Sequence, residues 1–385
     1  MKAITSKLPQ VGTTIFTVMS ALAREHGAIN LSQGFPNFDC DSQLKDLVSY
    51  YMKKGYNQYP PMIGVEKLRK QIAKKVNTAY GSTVDPMTDI TVVAGATQGL
   101  FCAMGAFISP GDEVIIIEPA YDSYRPSVEV FGGIPIIYEC SAPDYRINWE
   151  DFGKLISPKT RLILVNTPHN PTGKCFKRED WKALESLVAG TEILLLSDEV
   201  YEHLVFDEEQ HQSILGFPEL YQRSLAVYSF GKTFHTTGWK VGYIIGPELL
   251  MKEFRKVHQF NVFTVHSPTQ YALADYLEEA SHYEGLANFF QEKRDYFLEQ
   301  LAHAPFTPIP SEGTYFQLAQ YGHLSQENDA EYAKKLTRKY GVAVIPVSAF
   351  YSNKRDDKVI RFCFAKTKDL LKQAGERLRE VGGSR

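Results

Sequence analysis

The chain has 385 residues, 44% of them hydrophobic and 23% charged, with a formal net charge of -3 at pH 7. That length allows two or three domains with cores of their own, and the composition excludes a disordered chain. The near-neutral balance gives no basic surface for nucleic acid or anionic membrane, and no apolar run approaches the roughly 20 residues of a membrane span. The first ten residues lack the apolar stretch of a secretory signal. Five scattered cysteines, Cys40, Cys102, Cys140, Cys175 and Cys363, form no C-x-x-C pair and suit a reducing cytoplasm. The ten histidines include no H-x-x-x-H pair, so no metal site is expected.

Short runs rich in Ile, Val and Leu predict strands over residues 90–94, 113–118, 134–138, 162–166, 193–197, 225–228 and 241–245. Their nearly continuous hydrophobicity is that of strands buried on both faces. Amphipathic stretches between them predict helices over 98–107, 121–131, 149–155 and 179–188. Strands alternating with helices imply an α/β fold, a mostly parallel sheet sandwiched by helices. Residues 1–43 read as turn-rich, as in Gln33-Gly34-Phe35-Pro36, with little periodicity. Beyond residue 285 the pattern gives helices at 289–301, 329–340 and 370–381 and strands at 314–318, 342–345 and 359–364.

The most informative segment is Ser229-Phe-Gly-Lys232-Thr-Phe-His-Thr-Thr-Gly-Trp-Lys240. Its Gly231-Lys232-Thr233 is not the end of a P-loop, because the glycine needed five positions before Gly231 is Ala226. No Gly-x-Gly-x-x-Gly occurs either. A lysine three residues after a serine, with a second cation eight positions on, instead suits a Schiff-base lysine. The hydroxyl and the second cation are then left for a phosphate. An amine in that role must be desolvated or set among other cations to be nucleophilic near neutral pH. Asp198 ends the run Leu194-Leu-Leu-Ser197, at the strand edge where ligands of open α/β sheets collect. Asn170 lies in the turn-forming Asn170-Pro-Thr-Gly173, directly after another strand. Gly95-Ala96-Thr97 follows the first strand and opens a helix, whose N-terminal amides readily bind phosphate. Arg361 alternates with Ile360 and Phe362 along its strand, so its guanidinium faces away from the apolar side.

Together these segments resemble the pyridoxal 5'-phosphate (PLP) site of fold-type I, class I/II aminotransferases. The branch they resemble holds methionine and kynurenine/glutamine aminotransferases. The resemblance runs from Asn30-Leu-Ser-Gln-Gly-Phe-Pro36 to Ile360-Arg-Phe-Cys-Phe-Ala-Lys366. It implies a large PLP-binding domain over residues 44–285, and a smaller α+β domain from 1–43 and 286–385. Lys232 is then the catalytic lysine that carries the cofactor, and Asp198 the partner of the pyridinium nitrogen. Asn170 and Tyr201 are expected at the phenolic oxygen, Tyr121 stacked on the ring, and Ala96, Thr97, Ser229 and Lys240 around the phosphate.

The same resemblance makes Tyr59 a phosphate contact to the neighbouring subunit and so implies a homodimer with shared active sites. Arg361 and the backbone of Gly34, with Asn170, hold the substrate α-carboxylate. A planar guanidinium can grip a carboxylate through two parallel hydrogen bonds. Dicarboxylate-specific relatives recruit a further arginine, and the segment 258–268 has none. Phe263, with Phe16 and Phe35, suits a long apolar or aromatic side chain. The implied activity is ping-pong transfer of an amino group from methionine, aromatic or glutamine-like amino acids to a 2-oxo acid. A PLP-dependent cysteine-conjugate or cystathionine β-lyase shares the fold, the lysine and the arginine, and is the alternative.

Overall fold

The computed structural model describes residues 5–382, so the outermost positions of the expected small domain, 1–4 and 383–385, lie outside the described residues. Seven strands build the central sheet: β1 (Ile90–Val93), β2 (Glu113–Glu118), β3 (Ile134–Glu139), β4 (Thr160–Asn166), β5 (Leu194–Asp198), β6 (Ser224–Ser229) and β7 (Gly242–Ile245). Their order across the sheet is β1-β7-β6-β5-β4-β2-β3. All neighbours run parallel except β7, which is antiparallel to both β1 and β6.

Period-two packing explains the continuous apolar runs. Ile115, Ile117, Ile163, Val165, Ala226 and Tyr228 join one core, whereas Val114, Ile116, Leu162, Leu164, Leu225 and Val227 join another. The inner strands thus bury both faces, one under helix Glu66–Tyr80 and its neighbours, the other under helices Ala96–Phe107 and Glu248–Asn261, while the edge strand β3 is only partly covered. Helix Arg178–Val188 shows how a covering helix is specified. It buries Trp181, Leu184 and Val188 on one stripe and carries Glu179 and Asp180 in its first turn, where the helix dipole favours them.

A third core is built from both ends of the chain, with Met19, Leu22, Ile29 and Leu31 packed among Phe290, Phe297, Leu336, Phe362 and Leu378. Its antiparallel sheet contains β8 (Thr307–Ile309), β9 (Phe316–Gln320), β10 (Ile345–Pro346) and β11 (Val359–Cys363), ordered β10-β11-β9-β8. Ile29–Asn30 pairs in parallel with Val342–Ala343 and ties the two ends together.

Three sequence expectations need correction. The turn-rich N-terminal segment contains the helix Ile15–Glu25, capped by Thr14 and burying only Met19, Leu22 and Ala23. Its apolar residues Ile15, Val18, Met19 and Leu22 do recur at helical spacing, a signal obscured by the turn-rich flanks. The helix expected from 121 starts at Tyr124, because Tyr121 to Ser123 form a turn. The strand expected over 342–345 is two short strands in different sheets.

Candidate active site

The C-terminal ends of β4, β5 and β6 open on one cavity of about 330 Å3. Lys232 reaches it from the short helix Phe230–Thr233, directly after β6. Gly231 is required there, since a Cβ would come within 3.0 Å of Thr237 Cα. Lys232 Nζ donates to the Gly34 carbonyl at 3.1 Å and to the Tyr315 hydroxyl at 2.8 Å. Burial pushes its amine down to about 8, and the charges of Arg361 and Lys240 act in the same direction. The amine still carries its proton for the most part near neutral pH, but gives it up far more readily than an ordinary lysine, as a general base must.

Asp198 is the last residue of β5 and is buried. One carboxylate oxygen accepts from the Tyr124 hydroxyl at 2.6 Å and the other from the Val200 amide at 3.3 Å. Burial raises its carboxyl to about 6, even though both hydrogen bonds and Lys232 favour the anion. Beside it, Asn166 at the end of β4 donates to the Asp198 carbonyl and accepts from the Asn170 amide, each at 2.8 Å. The Asn170 side chain then accepts from Arg361 Nη1 at 2.6 Å. Arg361 is 1% exposed in the middle of β11, its guanidinium 3.8 Å from the Phe316 ring centroid and 4.8 Å from that of Phe350. Nη2 donates to the Ser32 carbonyl at 3.3 Å, while Nε has no partner. Burial lowers its pKa to about 10, so the guanidinium stays charged.

At the other end of the cavity, Gly95 at φ +80° caps helix Ala96–Phe107. A Cβ on Gly95 would lie 3.3 Å from Lys240 Nζ, so the glycine lets that ammonium sit over the helix N-terminus. Thr97, Ser229 and Tyr121 line the same end. Among the described residues no carboxylate pairs with Lys232 or Lys240.

Most of the residues expected from sequence come together here. Gly34, Ala96, Thr97, Tyr121, Asn170, Asp198, Tyr201, Ser229, Lys232, Lys240 and Arg361 all line the cavity, with Phe16 and Phe35. Tyr59 and Phe263 do not. Their rings pack edge to face 5.4 Å apart outside the cavity, with Tyr59 83% exposed. Phe263 was expected to line the substrate pocket. Its φ of +65°, just beyond helix Glu248–Asn261, turns the chain onto the surface of this subunit instead. The sequence reading missed Tyr124 and Tyr315, which hold Asp198 and Lys232. It also missed Asn166, whose place two residues before Pro168 in a strand-end turn was the available signal.

The lining carries three cations, Lys232, Lys240 and Arg361, against one carboxylate, Asp198. Burying that excess of positive charge is unfavourable unless an anionic guest shares the site. A helix N-terminus with an adjoining ammonium suits a phosphate, and a guanidinium with an unpartnered N–H suits a carboxylate. A buried carboxylate between them suits a protonated ring nitrogen. The residues present therefore fit PLP together with an amino acid.

Comparison with known proteins agrees with that chemistry. The family model for aminotransferase class I and II matches residues 26–378. The chain is 48% identical to a methionine aminotransferase of Escherichia coli (strain K12), over 98% of both chains. It is 34% identical to a kynurenine–oxoglutarate transaminase of Dictyostelium discoideum, over 95% of this chain and 94% of that one. A crystal structure from Escherichia coli, described as having a methionine aminotransferase function, superposes with a TM-score of 0.97 at 47% identity. The match covers 98% of this chain and 100% of that one. The chain belongs to the class I and II aminotransferases, enzymes of the PLP-dependent α/β transferase fold.

Proposed function

We propose that this enzyme transfers the amino group of methionine, and of aromatic and glutamine-like amino acids, to a 2-oxo acid. The observation that carries this reading is a buried Lys232 amine of lowered pKa in one cavity with Asp198 and the carboxylate-ready Arg361. Bound there, PLP supplies an electron sink for the bond electrons released at the amino acid's α-carbon. Lys232 carries the cofactor, and its freed Nζ lifts the α-proton and holds it. Asp198 would hold the ring nitrogen, Asn170 and Tyr201 the phenolic oxygen, and Tyr121 would cover the ring. Ala96, Thr97, Ser229 and Lys240 take the phosphate.

Arg361 and Gly34 orient the α-carboxylate, with Asn170 fixing the guanidinium. Phe16 and Phe35 give the substrate side chain an apolar wall, and Arg361 is the only arginine among the lining residues. A second carboxylate on the donor would be desolvated there without a partner. The name of the Escherichia coli relative supports methionine as a donor. The relatives are named aminotransferases, so the β-lyase alternative is not favoured.

The reading includes a cytoplasmic homodimer in which Tyr59 reaches the partner subunit's phosphate site. The exposure of Tyr59 and Phe263, packed edge to face outside their own cavity, supports a surface covered by a second copy. It also includes a large domain of 44–285 and a small one of 1–43 with 286–385, supported by the core that joins both chain ends. Among the described residues no helix is long and apolar enough to cross a membrane, and no His/Cys/Asp/Glu cluster could hold a metal.

Incubating the purified protein with methionine and a 2-oxo acid tests the assignment. The methionine oxo acid and the acceptor's amino acid should form in equal amounts. Faster, acceptor-independent release of ammonia, pyruvate and a thiol from cystathionine would overturn it.

A further inference from the structure

The hydrogen bonds around Lys232 contain more than a lysine in a cavity. Three distant parts of the chain meet at its amine: Gly34 from the N-terminal segment, Lys232 from the sheet edge, and Tyr315 just before β9. Tyr315 is fully buried, and its ring packs edge to face on Tyr201 at 5.2 Å. Its hydroxyl donates its single proton to the Gly34 carbonyl. Its oxygen therefore offers a lone pair to Lys232 Nζ at 2.8 Å. Burial raises the Tyr315 hydroxyl well above its ordinary range, so it stays protonated and keeps this pattern of donors and acceptors.

A neutral primary amine has two N–H bonds and one lone pair. In Lys232 both N–H bonds are engaged, one by the Gly34 carbonyl and one by the Tyr315 oxygen. The lone pair is then left facing the cavity, the one direction from which a proton can be taken. We propose that Tyr315 is a positioning residue of the transamination reaction, which together with the Gly34 carbonyl aims the Lys232 lone pair at the substrate α-carbon. Without the hydroxyl, one N–H is free to rotate and the lone pair spends less time in line with the C–H bond. Orientation of this kind contributes to the rate of proton transfer and not to substrate affinity. The inference rests on the assignment of Lys232 as the base.

Tyr315→Phe removes the hydroxyl and keeps the ring. In the loaded enzyme, kcat with methionine should fall roughly 10-fold or more with KM little changed, because proton transfer slows. The primary isotope effect on kcat with α-deuterated methionine should rise, since that step becomes more nearly rate-limiting. This effect is a ratio over folded molecules, so partial loss of folded protein does not move it. A second readout needs no turnover. In cofactor-free protein above pH 8, where the amine is neutral, acylation of Lys232 by a small reagent, followed by peptide mass, should slow several-fold in the variant.

An unchanged isotope effect with an unchanged acylation rate overturns the positioning role. A raised KM with an unchanged isotope effect does so as well, and reduces Tyr315 to packing. Borohydride reduction of the loaded wild type should fix the cofactor on Lys232. A label on another lysine would overturn the functional assignment itself, and this inference with it.

Discussion

Two clusters of buried charge flank the turn that follows β5, and they are built to opposite rules. On the cavity side, Asp198 and Tyr201 face Lys232, Lys240 and Arg361, with charges unbalanced and one guanidinium N–H bare. On the other side, Glu199 and Glu202 face the helix Glu66–Tyr80, and each carboxylate oxygen has a donor. Lys75 Nζ lies 2.6 Å from Glu202 Oε1, Tyr80 donates to Oε2, and Tyr243 donates to Oε1 at 3.1 Å. Glu199 accepts from Ser197, the Ile214 amide and Tyr228, and pairs with His211 Nε2 at 2.9 Å. Burial alone would raise Glu202, but the charge and hydrogen bonds of Lys75, with those of His203 and Tyr80, hold it down to about 2. The contrast separates two uses of a buried ion. One cluster has every carboxylate oxygen satisfied within the protein and fixes the turn; the other is left incomplete until a cofactor and a substrate arrive.

The sharpest way to break that contrast is to remove one lysine from each side. Lys232→Ala should lower transamination by about 10^4-fold, the upper range for a general acid–base group. Borohydride should then leave no label on the peptide around position 232. Its melting temperature should change little, because relief of a desolvated amine offsets the hydrogen bonds lost to the Gly34 carbonyl and the Tyr315 hydroxyl. Lys75→Met should do the reverse. Stranding Glu202 costs about 3–5 kcal/mol of stability, visible in urea unfolding, while the KM for methionine stays put. A stable Lys75→Met enzyme with poor substrate binding would invert the assignment of the two clusters.

The pH dependence of stability sharpens the comparison further. In cofactor-free protein Asp198 has a folded pKa of about 6, above its ordinary 3.8. Its contribution is fully present below pH 3.8 and is lost as pH rises through about 6. At about 1.4 kcal/mol for each pKa unit, the loss is roughly 3 kcal/mol. Asp198→Asn should therefore gain on the wild type between pH 4 and 7 in paired melting curves. Glu202 runs the other way, stabilising above its ordinary 4.5 and losing that contribution as pH falls toward about 2. A flat difference curve for Asp198→Asn would place that carboxylate in the satisfied class.

The smallest effect is expected at the substrate carboxylate. Arg361→Lys gives up the two-pronged grip for a point charge. The loss is about 1.5–3 kcal/mol, a fall in kcat/KM of roughly 10- to 150-fold. Methionine, phenylalanine and glutamine should suffer alike, since all share the α-carboxylate, and aspartate should remain the poorest donor before and after. A strongly donor-dependent effect would move Arg361 from the carboxylate to the side-chain end of the site.

What the sequence revealed followed the geometry of strand ends. Asn170, Asp198 and Lys232 lie in compact motifs directly after β4, β5 and β6, and a parallel sheet gathers such ends at one edge. Strand positions were equally legible, because burial on both faces leaves an unbroken apolar run. Tyr315 and Tyr124 had no comparable signal. Their partners Lys232 and Asp198 are 83 and 74 residues away, so nothing local distinguishes them from core tyrosines. The same holds for Lys75, 127 residues from Glu202 on a helix that otherwise reads as solvated. Phe263 lies outside this subunit's own cavity, and nothing local in the sequence marks the positive φ that turns it outward.

The reversed direction of β7 bears on how this enzyme can vary. Because β7 runs against β6, the chain leaves the sheet at Ser229 and re-enters at Gly242 on the same edge. Lys232 and Lys240 thus belong to a single tight excursion, pinned at both ends by the register pairing Ser229 with Gly242. A parallel strand would have carried the chain to the far edge and separated the two ammonium groups. Length changes should therefore be intolerable between 229 and 242, where one added residue shifts both cations together. The exposed stretch around Glu208–Gln210 borders only ion pairs with exposed carboxylates, Lys177–Glu209 and Arg294–Asp207, and should accept insertions at far smaller cost.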